Sequence, residues 1–224
     1  MPTTLSSTPP RPESPPRALV DRRALNLPNL ITVSRLLLAV VLFVLIDVDG
    51  WWRTAAGLFV VAAFTDFLDG YLARKYGQVT VLGRILDPFV DKIIICGAFI
   101  FLQGQTADGL DSGVTGWMTF IIVAREMFIT SLRAVLEQYG KDFSAQWSGK
   151  LKMIVQCLAV PVCLLSLSRP FLEGIDSVLS AEDFARLRDG LLWVTVGITL
   201  YSGVEYVIRA VRLWNSPSST PPEG

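Results

Sequence analysis

Four aspartates, Asp66, Asp69, Asp87 and Asp91, lie inside two strongly apolar stretches of the chain. A carboxylate at the middle of a bilayer costs roughly 2.5–3.5 kcal/mol on insertion scales. Four together rival the stability of a whole domain, about 5–15 kcal/mol. Cations, protonation or water must compensate them, and the spacing favours cations. Asp66 and Asp69 are three apart and share one face of a helix; Asp87 and Asp91 are four apart and share a face of the next. The connection is short, so the two helices are expected to be antiparallel neighbours whose acidic faces meet. Four hard oxygen donors converging on one spot suit one or two divalent hard cations.

The neighbouring residues fit a phosphate ligand. Gly70 and Ala73 share the face of Asp66 and Asp69 and leave it shallow enough for close approach. Arg74 follows at the end of that helix, where its planar fork can bind a pair of pyrophosphate oxygens. Gly83 clears space one turn before Asp87. Pro88 removes a backbone donor, which is expected to kink the helix and free the carbonyl of Arg84.

Read in order, Asp66-Phe-Leu-Asp69-Gly70-Tyr-Leu-Ala73-Arg74, eight residues, Gly83, three residues, Asp87, three residues, Asp91 resembles the full signature of the CDP-alcohol phosphatidyltransferases. All eight fixed positions are present, and at about one in twenty per position a chance match is negligible. The resemblance implies a CDP-activated lipid donor, CDP-diacylglycerol, and Mg2+ or Mn2+ as a pair of divalent ions. It implies metal ligation by Asp66, Asp69, Asp87 and Asp91, with Asp91 also the general base. Gly70, Ala73, Arg74 and Gly83 take CDP-binding roles. Asn29, Thr32 and Arg35, near the start of the first apolar stretch, join them on the nucleotide side, although Arg35 also reads as an interfacial charge. A homodimer is implied as well.

These residues need helices to hold them. Six segments are long enough to cross a bilayer: Leu27–Asp47, Thr54–Arg74, Gly83–Leu102, Thr115–Gln138, Trp147–Ser168 and Gly190–Arg212. The fold class is therefore all-α, a polytopic membrane protein with six transmembrane helices. Arg17–Asn26 reads either as an interfacial amphipathic helix before the first span or as a plain basic linker. With the N-terminus inside, the cytoplasmic segments carry thirteen Lys and Arg and the opposite loops four, Arg53, Arg169, Arg186 and Arg188. The charge bias puts both termini and the acidic site on the cytoplasmic side; the resemblance implies a bacterial inner membrane. Residues 17–213 form the membrane domain. Residues 1–16, rich in Pro, Ser and Thr, and residues 214–224 read as disordered tails, the first with no apolar core that would make it a cleaved signal. No internal repeat is visible.

The acceptor side is marked by cations. Arg125 lies about ten residues inside an apolar run, where an unbalanced charge is costly. Arg133 follows on nearly the same helix face, and Lys150 and Lys152 open the fifth span. Together with Asn29, Thr32 and Arg35, and with the Asp-Pro-Phe-Val-Asp-Lys run ending at Lys92, these stretches resemble bacterial phosphatidylglycerophosphate synthases. In that reading the acceptor is sn-glycerol 3-phosphate, gripped by Arg125, Arg133, Lys150 and Lys152. Plainer readings stand beside it. The lysines serve equally well as snorkelling anchors, and Arg133 as a surface residue. Glu126 can neutralise another span and need not pair with Arg125, because adjacent helical residues do not face each other. Glu205 reads as a structural hydrogen-bond partner.

Composition narrows the alternatives. The net charge is zero, with no basic surplus for nucleic acid, and there is no histidine, so imidazole mechanisms are excluded. Cys96, Cys157 and Cys163 lack metal-ligand spacing and read as small buried residues. Within the family the rival acceptors are phosphatidylglycerol, as in cardiolipin synthesis, inositol phosphate and serine; the cations argue for a phosphorylated acceptor over serine. A cation-coupled transporter would also place acids in a membrane, but it leaves the aspartate-glycine-arginine signature unexplained.

Overall fold

Runs of about twenty apolar residues punctuated by short polar connections leave the backbone little choice but to satisfy its hydrogen bonds within each segment, as helices. In the computed structural model the described residues are 27–76, 81–139 and 147–215, with side chains described except at 27–32, 66–76, 81–88, 148 and 215. The helices are α1 Leu27–Asp47, α2 Trp52–Tyr76, α3 Val81–Leu102, α4 Gly116–Gln138, α5 Trp147–Ser166, α6 Arg169–Ile175 and α7 Ala181–Asn215. The six expected segments coincide with α1–α5 and α7 to within a few residues at most ends. The all-α expectation holds apart from one hairpin of β1 Thr106–Ala107 and β2 Leu110–Asp111. Its turn, Asp108-Gly109, has positive φ at both residues, 52° and 80°. Asp-Gly is the usual sequence signal for such a turn.

The larger difference lies at α7. Hydropathy places its start at Gly190, yet the helix begins at Ala181. Ser180 and Asp183 explain the extra turns: the Asp183 amide donates to Ser180 Oγ at 3.2 Å and the Ser180 hydroxyl donates to Asp183 Oδ2 at 2.8 Å. This reciprocal cap, with Arg186 reaching back to Asp183 and Glu182 at 2.8 and 3.3 Å, supports a polar helical extension that hydropathy does not register. Pro161 lies inside α5 without ending it.

The larger of two apolar clusters among the described residues joins the bundle: Ala39, Leu42 and Ile46 of α1, Ala55 and Phe59 of α2, Ala98, Phe99 and Leu102 of α3, Val160, Cys163 and Leu164 of α5, and Leu192 and Val196 of α7. Helix α1 packs on both α2 and α3, α5 on α2, α3 and α7, and α4 on α7. The ends of α2 and α3 that would form the expected side-by-side pairing carry side chains outside the described residues; among the described contacts α1 and α5 each touch both helices and bridge them. Gly97 lets α3 approach α1, because a Cβ there would lie 2.2 Å from the Phe43 ring. The outward faces remain apolar, with Leu37, Val40, Phe64, Phe120, Met127, Leu158 and Val204 all exposed. Helices α5 and α7 are each long and apolar enough to cross a membrane.

Arg188 closes the end of the bundle opposite Asp91. Sequence places it in an outer loop, but it is buried, donating to the Asp111 carbonyl at 2.5 Å and to Ser166 Oγ at 3.3 Å, with Asp189 Oδ1 at 2.8 Å. It ties hairpin, α5 and α7 together. Its two carboxylate partners are more than half exposed, so the contribution is modest, about 1–3 kcal/mol. Arg188→Met is expected to lower the thermal unfolding midpoint in detergent by several degrees, at roughly 2–4 °C per kcal/mol. Turnover per folded molecule should stay unchanged, and a fluorescence-detected melt beside a CMP-release assay checks both.

Candidate active site

The buried stripe of each helix is apolar through the core and turns polar toward the other end of the bundle. On α1 the stripe Ile46, Leu42 and Ala39 continues to Arg35. On α3 Leu102, Ala98 and Ile94 continue to Asp91; on α4 Met118 and Ile122 continue to Glu126. On α5 Cys163 and Ala159 lead to Gln156 and Lys152, and on α7 Leu192 and Thr195 lead to Thr199 and Ser202. Helical periodicity alone therefore aims these groups at one another.

Two charged clusters result. Arg35, 3 % exposed, forms an ion pair from Nη2 to Asp91 Oδ1 across the α1–α3 contact. Such burial overturns the interfacial reading of Arg35 and makes it the described counter-charge of Asp91. The second cluster centres on Glu126, 8 % exposed. Its Oε1 accepts from Arg125 Nη1 at 3.0 Å and from Lys152 Nζ at 2.5 Å. Glu126 neutralises another span, as expected, through Lys152 of α5, and it also pairs with its sequence neighbour Arg125, because both side chains are long enough to turn toward α5 and α7. Arg125 also donates from Nη2 to Ser202 Oγ at 2.9 Å and stacks its guanidinium 5.5 Å from the Tyr206 ring centre. The Lys92 ammonium donates to Thr130 Oγ1, which itself donates to the Glu126 carbonyl at 2.6 Å.

The predicted residues divide accordingly. Arg125 and Lys152 come together through Glu126. Lys150 is exposed, with its ammonium 5.1 Å from the Trp147 ring centre, as a surface anchor would be. Arg133 lies two turns beyond Arg125 with a side chain 40 % exposed and Nε 4.0 Å from Glu137. Glu205 is partly buried on α7. Asn29 and Thr32 lie on α1, Asp66, Asp69, Gly70, Ala73 and Arg74 on α2, and Gly83 and Asp87 on α3; their side chains are outside the described residues, as is the expected effect of Pro88. Among the described residues no three metal-ligating side chains cluster. The sequence reading passed over Ser202, Tyr206, Gln156 and Thr199. Their signal was the polar continuation of an apolar stripe on α5 and α7.

A groove of about 860 Å3 runs between α3 and α4, lined by Phe43, Phe89, Ile93, Ile100, Val123 and Met127 and ending at Lys92, Glu126 and Thr130. An apolar channel that meets a charged cluster can hold a hydrocarbon chain and a polar head at once.

Charge balance distinguishes function from anchoring. Arg125 with Glu126 is neutral; Lys152 adds a second cation that a structural pair does not require. Lys152→Met is therefore expected to leave the unfolding midpoint unchanged or raise it, since a buried charge is removed without leaving its partner uncompensated. Lys150→Met should shift it by no more than about 0.5 kcal/mol in stability. A marked loss of stability in Lys152→Met, measured by melting in detergent, would make Lys152 a structural anchor.

Comparison with known proteins gives the site its family. A sequence model described as CDP-alcohol phosphatidyltransferase matches residues 25–201. The chain is 36 % identical over 196 residues to the CDP-diacylglycerol–glycerol-3-phosphate 3-phosphatidyltransferase of Bacillus subtilis (strain 168), covering 81 % of this chain and 93 % of the relative. It is 33 % identical to a probable phosphatidylglycerophosphate synthase of Mycobacterium tuberculosis, covering 85 % and 84 %. It is 29 % identical to CDP-diacylglycerol–glycerol-3-phosphate 3-phosphatidyltransferase 2 of Arabidopsis thaliana, covering 87 % and 83 %. With helices apolar enough for a membrane, a family match across nearly the whole bundle and the complete aspartate signature on α2 and α3, the chain belongs to the CDP-alcohol phosphatidyltransferase family, membrane-bound enzymes of phospholipid synthesis.

Proposed function

We propose that this phosphatidyltransferase transfers the phosphatidyl group of CDP-diacylglycerol to sn-glycerol 3-phosphate, giving phosphatidylglycerophosphate and CMP. The observation that carries this reading is the buried cluster of two cations, Arg125 and Lys152, against one carboxylate, Glu126. It holds one net positive charge in an apolar bundle, which suits a phosphorylated acceptor rather than a neutral alcohol. The names of the relatives point the same way.

In this mechanism the acceptor hydroxyl attacks the lipid-linked phosphorus, a new P–O bond forms, and the pyrophosphate bond to CMP breaks. Asp91 accepts the hydroxyl proton. Arg35 holds one oxygen of that carboxylate and so fixes its orientation. Asp66, Asp69, Asp87 and Asp91 would hold Mg2+ or Mn2+. The donor chemistry fits, being four hard carboxylate oxygens, and Asp91 already sits where the fold supplies a cation to it. When bound, divalent ions neutralise the pyrophosphate and the charge developing on CMP. Arg74 and the small residues Gly70, Ala73 and Gly83 bind the CDP end, with Asn29 and Thr32 beside them. Arg133 adds a further positive charge on the acceptor side.

The same reading places six spans, α1–α5 and α7, across the membrane with both termini and the active site cytoplasmic, where nucleotide donor and glycerol 3-phosphate are found. Cysteines introduced at Gly77 and Gly140, in connections outside the described residues, should be labelled by an impermeant thiol reagent only from the cytoplasmic face. A cysteine at Gly174, exposed in α6, should be labelled from outside. Labelling in the opposite sense reverses the topology.

Purified protein with CDP-diacylglycerol should release CMP on addition of sn-glycerol 3-phosphate. Asn at Asp66, Asp69, Asp87 or Asp91 should abolish release while insertion persists; near-normal turnover in any two removes the metal assignment. Arg125→Gln should raise the acceptor KM by about ten- to a hundred-and-fifty-fold, the loss of one charge-assisted hydrogen bond, with donor KM nearly unchanged. Release with phosphatidylglycerol or inositol phosphate, but not glycerol 3-phosphate, would leave the family and remove this acceptor.

A further inference from the structure

Glu126 is where cations from two helices meet. Arg125 on α4 and Lys152 on α5 bond the same carboxylate oxygen, and the three side chains are only 10, 8 and 10 % exposed for Arg125, Lys152 and Glu126. Glu126 is the described ion-pair partner of Lys152, whereas Arg125 is also braced by Ser202 and Tyr206. Arg125 Nε is buried with no hydrogen-bond partner among the described residues. A buried donor without a partner and one positive charge in excess within this cluster, both among the described residues, call for an anion.

Two cations brought this close repel in a low-dielectric interior, and each long side chain would otherwise turn toward water. A carboxylate between them holds them convergent. A phosphate monoester has peripheral oxygens enough to face both, and meeting a pair already in place avoids the cost of gathering them on binding.

We infer that Glu126 is the positioning residue of the acceptor site, acting through Arg125 and Lys152 to hold both cations convergent on one phosphate and to set the buried net charge at a single positive unit. Glu126 touches neither the hydroxyl nor the phosphorus. The inference rests on the reading that the acceptor carries a phosphate. It adds a role for an acidic residue in a site built for an anion: the negative charge lowers attraction in the far field but supplies the geometry in the near field.

The test is a set of four enzymes in CDP-diacylglycerol mixed micelles: wild type, Glu126→Gln, Lys152→Met and the double variant. CMP release is measured against sn-glycerol 3-phosphate and against donor. Glu126→Gln should raise the acceptor KM about tenfold or more, with donor KM within about twofold. The double variant should raise acceptor KM by less than the product of the two single effects, because part of the Glu126 effect runs through Lys152. Its buried net charge equals that of the wild type. If Glu126→Gln does not fold, the double variant is compared with Lys152→Met and should have the higher acceptor KM, since Arg125 has lost its brace. An unchanged acceptor KM in Glu126→Gln, equal losses for both substrates, or effects that simply multiply would overturn the inference; so would equality in the last comparison. If the wild type uses inositol phosphate instead of glycerol 3-phosphate, the acceptor reading fails, and the same shifts are expected on that acceptor. Release with serine alone would sink both.

Discussion

Charge buried in an apolar bundle has to be balanced inside the bundle, and the arrangement of this protein follows from that constraint. Around Glu126 one carboxylate oxygen serves two cations from two helices, and across α1 and α3 Arg35 serves Asp91. Neither Lys152–Glu126 nor Arg35–Asp91 can form within one helix. Each requires a particular rotation of its helices, and the interdigitated core of Leu42, Phe59, Phe99 and Leu164 supplies that rotation. Apolar packing thus does electrostatic work: it sets which charges meet.

The two ends of the bundle use the same chemistry for different ends. Arg188 is saturated by carbonyl, hydroxyl and carboxylate partners, and closes a junction of hairpin and helices. Arg125 is braced on one side and carries a buried nitrogen without a hydrogen-bond partner among the described residues. A fully satisfied buried cation holds a fold together. In the proposed function an incompletely satisfied one, beside a second cation, holds a place for a ligand. Along α7, Arg188 and Ser202, the residue that braces Arg125, are about 20 Å apart at 1.5 Å per residue, so one end can be rigid while the other binds.

The position of the reaction follows from the same asymmetry. A lipid-linked donor has its phosphorus near the membrane surface and its chains in hydrocarbon, while the proposed acceptor is small and charged. A groove lined by Phe43, Ile93 and Met127 that ends at Lys92 and Thr130 offers both environments within one helix pair. The outward apolar faces of the long helices are those of a membrane-bound family.

Hydropathy and spacing in the chain were sufficient for the helices that carry the chemistry and for the family. Apolar runs of bilayer length have one way to satisfy their backbone, and Asp66 to Asp91 is a local pattern whose positions fall on α2 and α3. What hydropathy missed, the α7 extension, was still written locally, in the cap formed by Ser180 and Asp183. Partnership between charges was not legible. Arg35 could be read as interfacial and Arg188 as a loop charge, and the span that Glu126 serves could not be named, because each choice depends on which helix lies opposite and how it is turned. Those are properties of packing among residues distant in the chain, fifty-six positions apart for Arg35 and Asp91. Tertiary structure alone decided that Arg35 faces Asp91, that Lys152 rather than Lys150 turns inward, and that Glu126 stands between two cations.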